Sequence, residues 1–562
     1  MNYADDYNPI LEYYQEIKTG KATVSEKIRK TYKKLAYDCE HPDQFFYSNK
    51  RANHILTFFE SCCYNFQGKE GGKKVVLELW EKAMLAAVFG FIDINGLRKY
   101  QRAILIVGKK NGKSLLASGV GNYMLIADSE PGPEVYAVAT KRDQAKIIWM
   151  NSKRMVNKSP MLRRRVKPLV GELSSEEFNN GTYKPLSSDE NTLDGLNVHC
   201  ALMDEIHQWK NGKALYDIIA NGTTAREQPL VFITSTAGTV REDIYDFVYD
   251  EAERIINGYF DPEGYKDERT ICFIYELDDR KEWTDPACWK KANPGLGTIK
   301  SLSQLEAKVE KAKQNHLLVK DLICKEFNIR ETSTEAWLTF DQLNNKATYE
   351  LEKLKPRYAI GGVDLSRRED LTCATILFLV KNDPTIYVKQ MYWIPADLLE
   401  SHIREDRIPY DLWVDQGLVR LCSGNQIREE DVVEWFKEMQ SEKDIYLYKV
   451  GYDSWSSSHF VALMENEFGQ PVMVPVIQGK KTLSLPMYSL AADLEKKLVN
   501  YNNNPVLKWC LTNTTVDIDK NANIQPAKVR AATRRIDGTA SLLDAYTVYL
   551  DNRDDYLTYI DR

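Results

Sequence analysis

The sequence predicts an α/β protein built on two successive sheets, and three stretches predict it. Residues 102–118 read as a buried strand, a glycine-bearing turn and a helix. Residues 198–205 form an apolar strand that ends in the acid pair Asp204-Glu205. From Tyr358 onward a second set of strands begins, and the first of them carries Asp364.

The chain has 562 residues, and lengths of this order divide into roughly three or four units because a single core stops growing. The expected division is a helical N-terminal segment (1–75), an α/β core (76–254), a helical segment (255–350) and a second α/β domain (351–562). With 43% hydrophobic and 28% charged residues, a disordered or fibrous chain is excluded. The longest apolar stretch, 83–92, is about half of what a spanning helix requires. The first residues have neither the basic nor the apolar region of a secretion signal. Ten cysteines form no Cys-x-x-Cys pair and seven histidines are dispersed, so neither a disulfide framework nor a zinc site is expected, which fits a reducing cytoplasm. Net charge is −6, so any contact with nucleic acid must rest on local patches. Two are available: Arg163, Arg164, Arg165 and Lys167, and later Lys528, Arg530, Arg534 and Arg535. Read alone, each is a solvated helix face.

In chain order, stripes of Ile10, Leu11, Tyr14 and Ile17, then of Ile28, Tyr32 and Leu35, predict helices. Alternating Lys and Glu make this segment an exposed helical module. A loop at 68–72 and a helix over 79–91 lead to the strand 104–107. The turn that follows, Gly108, Lys109, Lys110, Asn111, Gly112, Lys113 and Ser114, has phosphate-loop grammar. Backbone N–H groups at the helix start face an anion, Lys113 reaches the β/γ-phosphates and the Ser114 hydroxyl ligates Mg²⁺. Three residues, not the usual four, separate Gly108 from Gly112, and Val107 holds the place of the expected glycine. Further buried strands are read at 135–139, before a polar turn at 140–144, and at 230–233, before Thr234, Ser235 and Thr236. Alternating strands and helices predict a parallel sheet with ligands at the carboxyl ends of its strands. There Asp204 completes a Mg²⁺ shell, Glu205 orients or deprotonates the attacking water, and Thr234 to Thr236 sense the γ-phosphate. Residues 255–345 read as helix-rich, with a break at 293–295 and a long amphipathic pattern over 302–323.

In the second half, the strand 358–366 and a hairpin into 372–378 open as an RNase H-like nuclease does. A strand holds Asp364 at the sheet centre, and the strand 446–453 ends in Asp453. The third acid belongs on a late helix, where Asp537 stands at the start and Asp544 about two turns on. Asp537 is the first choice, and Asp370 an outer contributor. Carboxylates gathered in this way repel one another unless divalent cations join them, so two Mg²⁺ or Mn²⁺ ions are expected.

Together, residues 79–81, 107–114, 139–144, 193–196, 203–207 and 234–238 resemble, in order and spacing, the large terminase subunit of tailed bacteriophages, in the branch typified by HK97-like phages. The resemblance runs over nearly the whole chain. It implies an ATP-driven DNA-packaging motor joined to an endonuclease that cuts concatemeric genomes. In that family the phosphate loop accepts basic residues where Lys109 and Lys110 stand, and Asp537 matches the acid before a small-residue helix. An arginine finger is also implied, with Arg142 placed better than Arg226. A glutamine usually follows the tryptophan of the adenine-contacting element, where this chain has Glu81. Implied partners are double-stranded DNA, a small terminase subunit and the portal protein of the procapsid, on which a pentameric ring forms. The implied location is the host cytoplasm, transiently at the portal and not in the mature virion, with no membrane. Two other readings fit parts of the sequence: a cellular helicase-nuclease or repair ATPase, and an inactive prophage-derived DNA-binding scaffold. Intact Lys113, Asp204, Glu205, Asp364 and Asp453 weigh against the scaffold.

Overall fold

The computed structural model describes residues 3–66, 70–188, 195–209, 212–238, 243–315, 318–331, 336–366, 371–406, 408–454, 458–519, 521–528 and 535–561. The chain divides into two compact units, 1–330 and 331–562.

The first unit opens with three capped helices. In α1 (Pro9–Lys18) the Asn8 side chain accepts from the N–H groups of Ile10 and Leu11, in α2 (Glu26–Glu40) Ser25 accepts from Ile28, and in α3 (Asn49–Cys62) Ser48 accepts from Arg51. Their apolar stripes do not form the exposed module expected from the charge pattern. Ile10, Ile28, Tyr32, Leu35 and Phe59 are fully buried in one core with Leu105, Leu116 and Phe273, and the alternating Lys and Glu mark only the outward faces. Contact is close enough that a Cβ on Gly119 would stand 2.3 Å from the Phe59 ring. A fourth helix, α4 (Leu79–Gly90), is buried almost all round.

The sheet of this unit comprises β1 (Arg102–Ile106), β2 (Glu134–Ala139), β3 (Lys167–Pro168), β4 (Leu173–Ser175), β5 (Gly181–Ser187), β6 (Cys200–Asp204), β7 (Leu230–Ser235) and β8 (Thr270–Ile274). Their order is β8-β1-β7-β6-β2-β5-β4-β3. From β8 to β5 every pairing is parallel, and β4 and β3 close the edge antiparallel. Alternation along β1 fills both faces: Ala103 and Leu105 point into the core with the N-terminal helices, Ile104 and Ile106 into the opposite one.

One expectation about residues 255–350 needs correction. The segment is not wholly helical, because Thr270–Ile274 pairs with β1 as a strand of the first sheet. Five apolar-rich residues among charged helices give too short a signal to stand out. By compactness the chain divides at residue 330. The pattern over 302–323 is two helices, α7 (Leu302–Gln314) and α8 (Val319–Phe327).

The second unit holds a seven-stranded sheet. Its strands are β9 (Tyr358–Asp364), β10 (Thr372–Val380), β11 (Asp383–Pro395), β12 (Val419–Cys422), β13 (Tyr446–Asp453) and β14 (Met473–Val476), in the order β12-β11-β10-β9-β13-β14, with Val499–Asn500 beside β11. β9, β10 and β11 are antiparallel neighbours, whereas β13 runs parallel to β9. The helix α9 (Asp537–Asp551) crosses β9 and β13 where Gly362 and Gly451 stand opposite each other. A Cβ on Gly362 would lie 2.2 Å from the Ser541 carbonyl oxygen, and one on Gly451 2.5 Å from that of Asp544, so helix backbone rests directly on strand backbone. Buried hydrogen bonds fix its position. Ser541 Oγ donates to Gly362 O (3.0 Å), and Gln390 Nε2 donates to Thr375 Oγ1 and to Gly538 O, both at 2.8 Å. No described helix in either unit is long and apolar enough to cross a membrane.

Candidate functional site

At the carboxyl end of β1 the chain turns through Lys110 (φ 67) and Gly112 (φ 84) into α5 (Lys113–Ile126). The left-handed step at Gly112 suits a residue without Cβ. Behind the loop, Asn111 is fully buried; its Nδ2 donates to Gly108 O and to Asn293 Oδ1, both at 2.9 Å. Gly108 N–H and Lys109 N–H donate to the carbonyls of Ala292 and Lys325, each at 3.0 Å. The expected break at 293–295 therefore buttresses the loop. Next to it, buried Lys300 pairs with Glu326 at 2.6 Å, and burial pulls its ammonium down to about 8. Glu81 is buried against Gly112, 3.3 Å from where a Cβ would be, and burial pushes its carboxyl up to about 8.

Lys113 donates from Nζ to Val107 O at 3.0 Å and lies 3.9 Å from Glu205 Oε1. Burial pulls its ammonium below the ordinary value, against the attraction of Glu205 and Asp204. At the end of β6, Asp204 accepts from Thr234 Oγ1 at 2.6 Å. Burial, then the neighbouring Glu205, pushes Asp204 up. Burial acts the same way on Glu205, but His207, Lys113 and Lys109 outweigh it and hold that carboxylate down. His207 Nδ1 stands 3.0 Å from Glu205 Oε2. In sequence His207 stands within the motif at 203–207 with no role of its own, and only the fold brings it to Glu205.

In the second unit Asp364 and Asp453 end the neighbouring parallel strands β9 and β13, and Asp537 opens α9. Asp364 and Asp537 both act on the buried thiols of Cys373 and Cys510. Asp544, also buried, accepts from Gln478 Nε2 at 2.8 Å; burial and then Asp453 push it well above the usual carboxylate range. Asp364 and Asp537 thus lie near the same two thiols, Asp453 lies near Asp544, and Asp364 and Asp453 stand at the ends of adjacent strands. All donors are hard oxygens, which suits Mg²⁺ or Mn²⁺. Among the described residues no three His, Cys, Asp or Glu are gathered closely enough to hold an ion by themselves. Asp370 lies outside the described residues, as does the 193–194 part of the motif at 193–196.

Comparison with known proteins matches residues 79–254 to the ATPase domain of the terminase large subunit and residues 265–552 to its endonuclease domain. This chain belongs to the terminase large subunit family. It is 27% identical over 508 residues to the terminase large subunit of Enterobacteria phage HK97, covering 88% of this chain and 94% of that one. To the terminase large subunit of Lactococcus phage p2 it is 22% identical over 557 residues, covering 95% and 97%. It is also similar to the crystal structure of the HK97 bacteriophage large terminase, with 26% identity, a TM-score of 0.47 and coverage of 89% and 99%.

A terminase large subunit is a DNA-packaging motor with an ATPase and an endonuclease domain, so its cations bear on the reading. Arg142 is exposed at the first position of α6 (Arg142–Lys158), beyond the carboxyl end of β2. Arg226 is committed elsewhere: its guanidinium donates to the carbonyls of Pro131, Gly132 and Asn197 and meets Glu130 at 3.2 Å. These contacts hold the amino ends of strands together. Arg535 likewise leaves the basic patch: it is 4% exposed and pairs with Asp406. Arg530 and Arg534 lie outside the described residues, while Lys528 ends the strand Ile524–Lys528. Arg163, Arg164, Arg165 and Lys167 are exposed.

Proposed function

We propose that this terminase hydrolyses MgATP at the carboxyl ends of β1, β6 and β7 and cuts concatemeric viral DNA at the carboxyl ends of β9 and β13. The observation that carries the reading is the convergence on one sheet edge of Lys113, Glu205 at 3.9 Å from it, and Asp204 bonded to Thr234. In this reading Gly108 to Ser114 cradle the phosphates, Ser114 and Asp204 hold the Mg²⁺, and Glu205 orients the attacking water. Bound Mg²⁺ would neutralise the charge that develops on the phosphates. In the nuclease, Asp364, Asp453 and Asp537, with Asp544 as the alternative third acid, hold Mg²⁺ or Mn²⁺, which supplies an activated water and a stabilised leaving oxygen. The substrate is double-stranded DNA, and the exposed Arg163, Arg164, Arg165 and Lys167 suit its phosphates. The compact unit 1–330 then carries the ATPase centre and the unit 331–562 the nuclease acids. The proposed partners are a small terminase subunit and the procapsid portal, on which a pentameric ring assembles in the host cytoplasm. The full chain should hydrolyse ATP with Mg²⁺ and nick plasmid DNA with Mn²⁺ or Mg²⁺, and chelation by EDTA should abolish both. Either activity persisting in EDTA would overturn its half of the reading.

Arg142 is proposed as the arginine finger of a neighbouring subunit, since it is exposed beside the nucleotide end of the sheet. Such a group acts on transition-state charge, so Arg142→Ala should lower turnover by about 10³-fold or more while sparing nucleotide binding. Mixing this variant with Glu205→Gln should restore part of the activity; no recovery at any ratio rules out action across subunits.

A further inference from the structure

His207 is 10% exposed and its ring is fixed on several sides. A Cβ on Gly238 would stand 2.9 Å from His207 Cβ and 3.2 Å from Cδ2, and Tyr245 packs edge-on with ring centres 6.4 Å apart. Side chains two apart on a regular helix diverge. Here Glu205 adopts a left-handed backbone (φ 50, ψ 45), uncommon for a residue with a Cβ, and the short turn Ile206–Gln208 brings the imidazole back over the carboxylate.

Donor accounting fixes the proton. Nδ1 faces three oxygens: Glu205 Oε2 at 3.0 Å, Ser235 Oγ at 3.2 Å and Thr236 Oγ1 at 3.5 Å. Ser235 Oγ gives its hydrogen to Thr236 O at 2.9 Å and accepts from His207 N–H at 3.3 Å. Thr236 Oγ1 gives its hydrogen to Glu205 Oε2 at 3.4 Å. The carboxylate has none to give. Among the described residues no neighbour supplies a hydrogen to Nδ1, so Nδ1 carries its own and donates it.

We propose that His207 is a positioning residue of the ATPase centre, which fixes the Glu205 carboxylate through Nδ1–H and ties it to the end of β7 through Ser235. The inference rests on the reading that Glu205 orients the attacking water. Asparagine tests it, because its Nδ2 is built at the same distance along the side chain as His Nδ1, whereas alanine offers no donor. In the full chain, His207→Ala should lower kcat for ATP roughly 10- to 100-fold with KM and nucleotide affinity within about twofold, as expected when only orientation is lost. His207→Asn should recover kcat to within about threefold of the parent, since it restores the donor. An unchanged kcat in His207→Ala, a KM that rises in step with the loss, or an asparagine variant no better than alanine would each overturn the proposal. If His207→Ala does not fold, His207→Asn decides alone, and a kcat down roughly tenfold or more counts against the proposal. Normal turnover in Glu205→Gln would instead remove the underlying reading; Glu205→Gln inactive beside His207→Ala fully active sinks only this inference.

Discussion

Glu205→Gln retains MgATP binding near the parental strength and loses about 10²- to 10⁴-fold in steady-state hydrolysis, the scale set by removing a positioned acid–base group. The amide keeps the shape of the side chain but neither the negative charge nor the acceptor pair that faces Lys113 at 3.9 Å and His207 at 3.0 Å. Binding is read with a fluorescent ATP analogue and turnover by phosphate release. Hydrolysis within a few-fold of the parent would show that another group handles the water.

The nuclease should be separable from the motor. In the full chain, Asp364→Asn abolishes plasmid nicking while ATP hydrolysis continues, because one ligand charge is lost with little change of shape and the two sheets belong to different units. Asp453→Asn should behave alike. The third acid is decided by comparing Asp537→Asn with Asp544→Asn. Asp537 opens α9 and shares thiol neighbours with Asp364, whereas Asp544 is bound to Gln478 and faces Asp453. Loss of nicking in Asp537→Asn alone supports the first; loss in Asp544→Asn alone moves the role two turns down the helix. Nicking by all four variants would place the chemistry elsewhere.

Much of this architecture was legible because it rests on local patterns. The strand–turn–helix at 102–118 and the acid-terminated strands at 198–205, 358–364 and 446–453 each declare themselves within a dozen residues. What escaped was set by distant partners. Arg226 and Arg535 read as available cations, yet each is held by carbonyls or a carboxylate far away in sequence. Nothing local to Thr270 shows that it adjoins Arg102 in the sheet. His207 escaped for a different reason: its meeting with Glu205 depends on one left-handed residue that propensity does not foresee.

The N-terminal helices also decide how the motor can be cut into smaller pieces. The matched ATPase segment begins at residue 79, so a fragment starting near there looks natural. Such a fragment would leave bare the face of α5 where Gly119 receives Phe59, and the side of β8 where Phe273 meets Tyr32 with ring centres 5.9 Å apart. Apolar surface of that kind drives self-association. The smallest motor piece with its own faces covered therefore begins at the first helix and runs on to residue 330, which also keeps Ala292, Asn293 and Lys325 behind the phosphate loop.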